Sequence, residues 1–180
     1  RQFTALGAGA AAVAIVPGCM AQTHDGAGGS KTASRAVTIT TPDGKADAFF
    51  VHPEGGKHPA VILWPDIAGL RDAYKTMGTR LAAAGYAVLV VNHYYRSSPA
   101  PILNSLSEWR SPEGQQKLAP MIAAITPAGT VRDAAAFVAW LDGQAEVDTS
   151  RKIGTCGYCM GGPFTVRTAL ANPARVGAAA

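Results

Sequence analysis

The chain has 180 residues, of which 48% are hydrophobic and 16% are charged. This size suits a single domain with a hydrophobic core, and the composition is that of a globular protein rather than a disordered one. The formal net charge of +4 comes without a block of lysines and arginines or a basic stripe interleaved with aromatic residues. Nucleic acid is therefore not an expected partner, because its binding requires a clustered basic face.

The beginning of the chain is typical of a targeting signal. Arg1-Gln2-Phe3 precedes an apolar run over residues 5–16, which is too short to span a bilayer and fits the core of a signal peptide. Arg-x-Phe before such a run resembles the second half of a twin-arginine signal. We expect a signal peptide over residues 1–21, recognised by the export machinery, and therefore a location in the periplasm or cell envelope. A weakly apolar core helix is the alternative.

Two outcomes of processing stay open at this stage. Val16-Pro17-Gly18-Cys19 resembles a lipobox, in which Cys19 would carry a lipid, whereas simple cleavage near Ala21 is the alternative. Contact with a membrane is expected only through the signal or through such a lipid. Residues 22–34 are rich in Gly, Ser, Thr and Ala, a composition that predicts a flexible tether.

Residues 35–180 carry an alternation of strand and helix patterns. Thr41-Pro42-Asp43-Gly44 is a turn signal between two alternating segments, which predicts a β-hairpin. Later apolar runs predict buried strands, and 3.6-residue periodicity predicts helices. The predicted strands cover 36–40, 46–52, 60–64, 86–91, 152–156 and 176–180; the predicted helices cover 72–84, 113–124, 130–141 and 161–171.

This order predicts an α/β fold, with a mostly parallel sheet, helices on both faces and an antiparallel edge. In such sheets the chemistry lies beyond the carboxyl ends of the strands, which directs attention to residues 65–69, 92–96 and 157–162. The chain starts with Arg rather than Met, and its last residues open a predicted strand. We therefore expect the domain to be incomplete and part of a longer protein.

A Gly-x-Cys-x-Gly motif, Gly157-Tyr158-Cys159-Met160-Gly161, follows a predicted strand and opens a predicted helix. This is the pattern of a nucleophile elbow, with Cys in place of the usual Ser. The turn is so tight that side chains two positions either side of the nucleophile would clash, and Gly157 and Gly161 avoid that clash. The helix N-terminus favours a thiolate at Cys159, and the Met160 N–H points to where an oxyanion forms. A glycine-rich turn with a buried cysteine is the alternative.

These residues carry a resemblance to a known family. The segment 153–162 resembles the Gly-Tyr-Cys-x-Gly-Gly segment of the dienelactone hydrolase family, which belongs to the α/β-hydrolase superfamily. Residues 60–70, followed by a helix and by 85–91, are similar to the part of that family that carries the first oxyanion-hole segment. Tyr94 and Arg96 resemble the family's Tyr and Arg just after the next strand, and are therefore possible pocket residues.

The resemblance implies a hydrolase of small-molecule esters or lactones, of the carboxymethylenebutenolidase class, with a Cys-His-Asp triad and no cofactor or metal. It implies that Cys159 is the nucleophile and that the N–H groups of Ile67 and Met160 form the oxyanion hole. Asp66 takes the place of a family Glu that contacts the resting thiol. The triad Asp and His are expected beyond residue 180. His93 follows a predicted strand at the same edge, so it either lines the pocket or has no chemical role.

Two other classes of function stay open. Cys156 and Cys159 form a C-x-x-C motif, which also occurs in redox and zinc sites. A zinc site would need a second Cys pair or a His at ligand spacing, and the sequence has neither. A thiol–disulfide protein remains one alternative. A non-catalytic binding module is the other, because the triad Asp and His are not in this sequence.

Overall fold

The computed structural model describes residues 29–180. The signal predicted over 1–21, with Cys19, and the start of the predicted tether lie outside the described residues. The strands are β1 (Thr32–Thr41), β2 (Gly44–Pro53), β3 (Ala60–Trp64), β4 (Ala87–Val91), β5 (Ile153–Gly157) and β6 (Val176–Ala179). The helices are α1 (Asp72–Ala83), α2 (Leu106–Trp109), α3 (Pro112–Ala123), α4 (Pro127–Asp142) and α5 (Gly161–Ala171).

All six strands belong to one sheet with the order β1-β2-β4-β3-β5-β6. β2 pairs with β1 and β4 in antiparallel orientation, whereas the β3–β4, β3–β5 and β5–β6 pairs are parallel. The predicted α/β fold with an antiparallel edge is confirmed. Because β3, β4 and β5 are parallel neighbours, the segments that follow them meet at one edge of the sheet.

Helices cover both faces of the sheet. On one face, Phe137 of α4 and Phe164 of α5 pack against Trp64 at the end of β3, with ring centroids 5.6 and 5.4 Å from the indole. On the other face, Tyr74 and Ala82 of α1 pack against β2, β3 and β4. β3 and β4 are buried from both sides, as continuous apolar runs predict.

Two of the predicted boundaries that the structure extends have clear local reasons. β1 begins at Thr32, inside the predicted tether, because Thr32, Ala33 and Ser34 pair with the end of β2. α4 begins at Pro127 rather than at residue 130, because the Thr126 side chain accepts a hydrogen bond from the Gly129 N–H and Pro127 fits the first turn.

Helices α2 and α3 fill part of the stretch after β4. Each begins after a serine whose hydroxyl caps the first turn: Ser105 accepts from the Glu108 N–H, and Ser111 accepts from the Gly114 N–H. Leu118 of α3 is buried with Ile102 and Tyr94 in a small apolar cluster beyond the strand ends. Within residues 29–180, no helix combines the length and apolar character needed to cross a membrane.

Candidate active site

Cys159 occupies the turn between β5 and α5 in a conformation that side chains rarely adopt. Its φ angle is 54°, and among residues 29–180 it is the one non-glycine residue with a positive φ. Such backbone strain concentrates at functional sites, where the surrounding structure holds it in place. The side chain is exposed at the carboxyl edge of the sheet. These are the features that the elbow pattern predicts for a nucleophile.

The surroundings of the two glycines that flank Cys159 leave no room for side chains at those positions. A Cβ at Gly157 would meet the Gly161 carbonyl and lie 2.5 Å from the Thr165 hydroxyl. A Cβ at Gly161 would lie 2.8 Å from the Pro65 carbonyl oxygen and closer still to that of Trp64. Gly161 therefore lets the elbow pack directly on the end of β3, and Gly157 lets the end of β5 pack against the first turns of α5.

Cys156 and Cys159 differ in their surroundings. Cys156 is half-buried against the apolar cluster under α1, and this burial raises the pKa of its thiol. Cys159 is exposed, and both cysteines are free thiols. Within residues 29–180, no group of three or more His, Cys, Asp or Glu side chains is placed to hold a metal ion.

The N–H of Ile67 is one of the backbone groups in the loop after β3 that are unpaired within residues 29–180. The Asp66 N–H donates to the Tyr74 hydroxyl at 2.9 Å, and the N–H groups of Ala68 and Gly69 donate to Asp66 at 2.9 Å. Among the described residues, the Ile67 N–H has no acceptor. Backbone N–H groups are usually paired when they lie inside a protein, so this one is available to a ligand.

In the described part of the chain, the elbow also contains unpaired backbone N–H groups, those of Cys159 and Met160. The Tyr158 N–H donates to Trp64, the Gly161 N–H to Tyr158 and the Gly162 N–H to Cys159. No acceptor for the Met160 N–H is found within residues 29–180. The two N–H groups that the resemblance implies for an oxyanion hole are thus both unpaired. Their role in stabilising an oxyanion stays a prediction.

Asp66 forms an ion pair with Arg71. Its two carboxylate oxygens accept from Arg71 at 2.7 and 2.9 Å, and Asp66 makes no hydrogen bond to Cys159. Burial acts to raise the pKa of Asp66, but the hydrogen bonds from Arg71 and the Ala68 N–H outweigh it and hold that pKa below its usual value. Asp66 therefore organises its own loop. The family's contact to the resting thiol is not made here.

Tyr94 links the segments that contain Ile67 and Met160. Its hydroxyl donates to the Ile67 carbonyl at 2.8 Å and lies 3.4 Å from the Met160 sulfur. Tyr94 is only 1% exposed, so its side chain packs behind the site and is not open to substrate.

His93 is buried beneath this site. Its ring packs between Tyr94 and Phe164, with centroid separations of 4.2 and 5.5 Å, and is 3% exposed. Among the described residues neither ring nitrogen has a hydrogen-bond partner. Burial lowers the pKa of His93 to about 3, so the ring is neutral. The pocket position considered for His93 does not agree with this burial.

Arg96 is held away from the elbow. Its guanidinium donates to both carboxylate oxygens of Asp133 at 2.8 Å and to Asp43 at 2.5 Å, while it lies 4.6 Å above the ring of Tyr95. These contacts join the β1–β2 turn to α4. They give no support to the idea that Arg96 lines the pocket, because every charged contact it makes is to a structural carboxylate.

Sequence reasoning missed the roles of Arg71 and Tyr74. Arg71 pairs with Asp66, and the Tyr74 hydroxyl accepts from the Asp66 N–H, so both fix the loop that carries Ile67. The close spacing of Asp66, Gly69 and Arg71 was the available signal for the ion pair. Tyr74 lies in the predicted helix over 72–84, and no local pattern there indicates that its hydroxyl reaches the Asp66 N–H.

Known proteins match the chain over most of the described domain. The profile of the dienelactone hydrolase family matches residues 46–180. A protein of Methylorubrum extorquens named "Putative carboxymethylenebutenolidase" is 31% identical over 139 residues, which are 77% of this chain and 45% of that protein. A Bradyrhizobium protein named "Probable 2-oxo-3-(5-oxofuran-2-ylidene)propanoate lactonase" is 26% identical over 121 residues, 67% of this chain and 44% of that protein.

The fold has solved counterparts. The crystal structure of a "Putative Dienelactone Hydrolase" from Klebsiella pneumoniae superposes with a TM-score of 0.65 at 19% identity, covering 79% of this chain and 56% of that one. The chain spans about half the length of the curated relatives it matches. From its sequence profile, its sheet order and its Gly-x-Cys-x-Gly elbow, this chain belongs to the dienelactone hydrolase family.

Proposed function

We propose that the protein hydrolyses ester or lactone bonds of small molecules, with Cys159 as its nucleophile. The main support is the conformation of Cys159, which is exposed and has a φ of 54°. It lies on a turn where the neighbouring atoms leave no room for a side chain at Gly157 or Gly161. A packing role does not require such a strained conformation for an exposed thiol. The unpaired N–H groups of Ile67 and Met160 add a place for developing negative charge.

The proposed reaction has two steps. The Cys159 thiolate attacks the carbonyl carbon, and the carbonyl oxygen becomes an oxyanion that accepts hydrogen bonds from the Ile67 and Met160 N–H groups. The C–O bond to the leaving alcohol then breaks, the alcohol oxygen takes up a proton, and a thioester remains on Cys159. Water adds to this thioester through a second oxyanion, releasing the acid and restoring the thiol.

A base is needed to take the thiol proton and return it to the leaving oxygen. We propose that it is a His, oriented by an Asp, and that both lie beyond residue 180. The histidines of the described domain do not serve: His93 is buried, while His52 and His58 are bonded to the Pro53 and Gly55 carbonyls. A cysteine–histidine pair needs a hydrogen bond between its members, and Cys159 makes none of this kind within residues 29–180.

The substrate proposal rests on chemistry and on the relatives. One curated relative is named as a carboxymethylenebutenolidase and another as a lactonase. A lactone is a cyclic ester, so the same attack and the same oxyanion serve both substrate types.

The alternatives are not favoured. Neither the redox reading nor a non-catalytic binding module accounts for the strained backbone at Cys159.

Activity measurements on the full-length protein test the proposal. Hydrolysis of a small activated ester, such as p-nitrophenyl acetate, is expected to disappear in Cys159→Ala and to survive in the matched variant Cys156→Ala. An equal loss of hydrolysis in both variants, with the fold intact by circular dichroism, would favour the thiol–disulfide hypothesis over a role of Cys159 alone as the nucleophile.

We further propose that the protein is exported. The support is the sequence of residues 1–21 alone, in which Arg1-Gln2-Phe3 precedes a short apolar run. Mass spectrometry of the N-terminus of the full-length product is expected to show cleavage just before Cys19 or near Ala21. An intact N-terminus on a protein that stays in the cytoplasm would contradict export.

A further inference from the structure

The hydroxyl of Tyr94 lies between the two residues proposed to stabilise the oxyanion. It donates to the Ile67 carbonyl at 2.8 Å, and its oxygen is 3.4 Å from the sulfur of Met160. Ile67 belongs to the loop after β3 and Met160 to the elbow after β5. A single buried side chain from the segment after β4 therefore contacts both residues whose N–H groups are proposed to bind the oxyanion.

Tyr94 is fixed from several directions. Its own N–H donates to the Asn92 side chain at 3.0 Å, and its ring packs on the ring of His93 at 4.2 Å. On its other side the ring lies against Gly69, where a Cβ would approach it to 3.2 Å. Gly69 has a φ of 78°, a conformation that favours glycine and lets the loop come this close. The phenol position is thus set by packing before any substrate binds.

The hydroxyl is a dependable donor. Burial raises the pKa of Tyr94 above its usual value, so the phenol keeps its proton throughout the pH range in which proteins are stable. A neutral buried phenol donates to the best acceptor available, which here is the Ile67 carbonyl.

The bond from Tyr94 completes the anchoring of Ile67. The peptide before Ile67 is fixed through Asp66, whose N–H, carbonyl and carboxylate all have partners. The peptide after Ile67 is fixed by Tyr94 through the Ile67 carbonyl. With both peptides fixed, rotation about the Ile67 backbone is restricted, and the direction of its N–H is set relative to the elbow.

We propose that Tyr94 is a positioning residue that sets the separation and direction of the Ile67 and Met160 N–H groups. This inference rests on the proposed function. Tyr94 does not touch the reacting atoms; it acts through the loop and the elbow. Its removal should weaken the interaction with the oxyanion and leave the Cys159 thiolate and ground-state substrate binding unchanged.

The test compares Tyr94→Phe with Tyr95→Phe in the full-length protein. Tyr95 is the matched control, because its hydroxyl is also buried but bonds Thr41 and Asp133, away from the elbow. For Tyr94→Phe we expect kcat on an activated ester to fall about 10- to 100-fold with KM unchanged, since a small displacement of an oxyanion donor has effects of this size. Tyr95→Phe should keep the wild-type kcat.

Two further readouts distinguish positioning from general damage. A trifluoromethyl ketone binds a cysteine nucleophile as a hemithioketal oxyanion, so its inhibition constant should weaken by the same factor as kcat. Alkylation of Cys159 by iodoacetamide involves no oxyanion, so its rate should match that of the wild-type protein. Met160→Leu, which removes the sulfur contact and keeps an apolar side chain, should show the same pattern with a smaller loss.

The possible results distinguish failure of the Tyr94 inference from failure of the proposed function. A wild-type kcat and ketone affinity in Tyr94→Phe would overturn the inference, and so would an alkylation rate that falls together with kcat. If Tyr94→Phe does not fold, a wild-type ketone affinity in Met160→Leu would overturn it. Retention of activity in Cys159→Ala would instead overturn the proposed function itself.

Discussion

Gly161 packs directly on the backbone carbonyl of Trp64, with no space between them for a Cβ atom. This contact seats the start of α5 on the end of β3 and brings Met160 near the loop that carries Ile67. Gly162, the next residue along, faces open space, since a Cβ there would have no neighbour within 4 Å. Two adjacent glycines in the first turn of one helix thus differ completely in what they tolerate.

Gly161→Ala is therefore expected to destabilise the protein by about 2 kcal/mol, because the new methyl group meets rigid backbone. Gly162→Ala should be neutral or stabilising by up to about 1 kcal/mol, since alanine favours a helix over glycine. Urea denaturation of the full-length variants measures both values. Equal effects of the two substitutions would show that the close approach of Gly161 is not a constraint.

His93 should make stability depend on pH below neutrality. Burial lowers its pKa to about 3, whereas in the unfolded chain it lies near 6.5. Between these values the unfolded state binds a proton that the folded state does not, so the free energy of unfolding falls as the pH drops from about 6.5 toward 3. His93→Leu should remove this contribution. It should also raise stability at pH 7 by about 1 kcal/mol, because two unpaired buried nitrogens are replaced by an apolar side chain.

The measurement is urea denaturation at several pH values between 7 and 4. His58→Gln is the control, because His58 lies in a loop and its ring bonds the nearby Gly55 carbonyl. His93→Leu should show a shallower slope than either the wild-type protein or His58→Gln. Identical slopes in all three proteins would mean that His93 titrates normally in the folded state.

The ion pair of Arg96 with Asp133 should matter for stability. The Asp133 side chain is 4% exposed and accepts hydrogen bonds from Arg96 and from the Tyr95 hydroxyl. Asp133→Ala would remove the buried partner of the Arg96 guanidinium and leave it paired with Asp43 alone, so we expect a loss of about 2 kcal/mol, below that for a fully unpaired buried charge. Asp72→Ala removes the exposed partner of Lys75 and should change stability by less than about 1 kcal/mol.

Thermal and urea unfolding of these two variants provide the test. A double variant, Arg96→Met with Asp133→Leu, should recover part of the stability lost in Asp133→Ala, because the buried guanidinium is then removed together with its buried carboxylate partner. If Asp133→Ala lowers the free energy of unfolding no more than Asp72→Ala does, the result would contradict a stabilising buried pair between Arg96 and Asp133.

Local sequence patterns predicted most of the secondary structure. The strand over 60–64 and the helix over 161–171 have the predicted bounds, because a doubly buried apolar run and a helix between Gly-Gly and Asn-Pro carry strong local signals. The start of α4 was missed although Thr126-Pro127 is a capping signal. α2 was missed because its four residues are too few to show periodicity.

Side-chain partners were harder to predict than elements. The contacts of Arg96 with Asp43 and Asp133 join residues that are 53 and 37 positions away along the chain, so no local pattern indicates them. The burial of His93 likewise depends on Phe164, which arrives from α5. In contrast, the φ angle of Cys159 and the crowding at its glycines follow from the short Gly-x-Cys-x-Gly motif itself, because the constraint is local.

The central claim is that Cys159 forms a covalent acyl intermediate, and mass spectrometry tests it most directly. The full-length protein is mixed with an activated ester that deacylates slowly, quenched in acid during turnover and digested. We expect one added acyl group, on the peptide that contains Cys159, and none in Cys159→Ala. An acyl group on Cys156 or on a serine, or turnover by Cys159→Ala at the wild-type rate, would contradict the account.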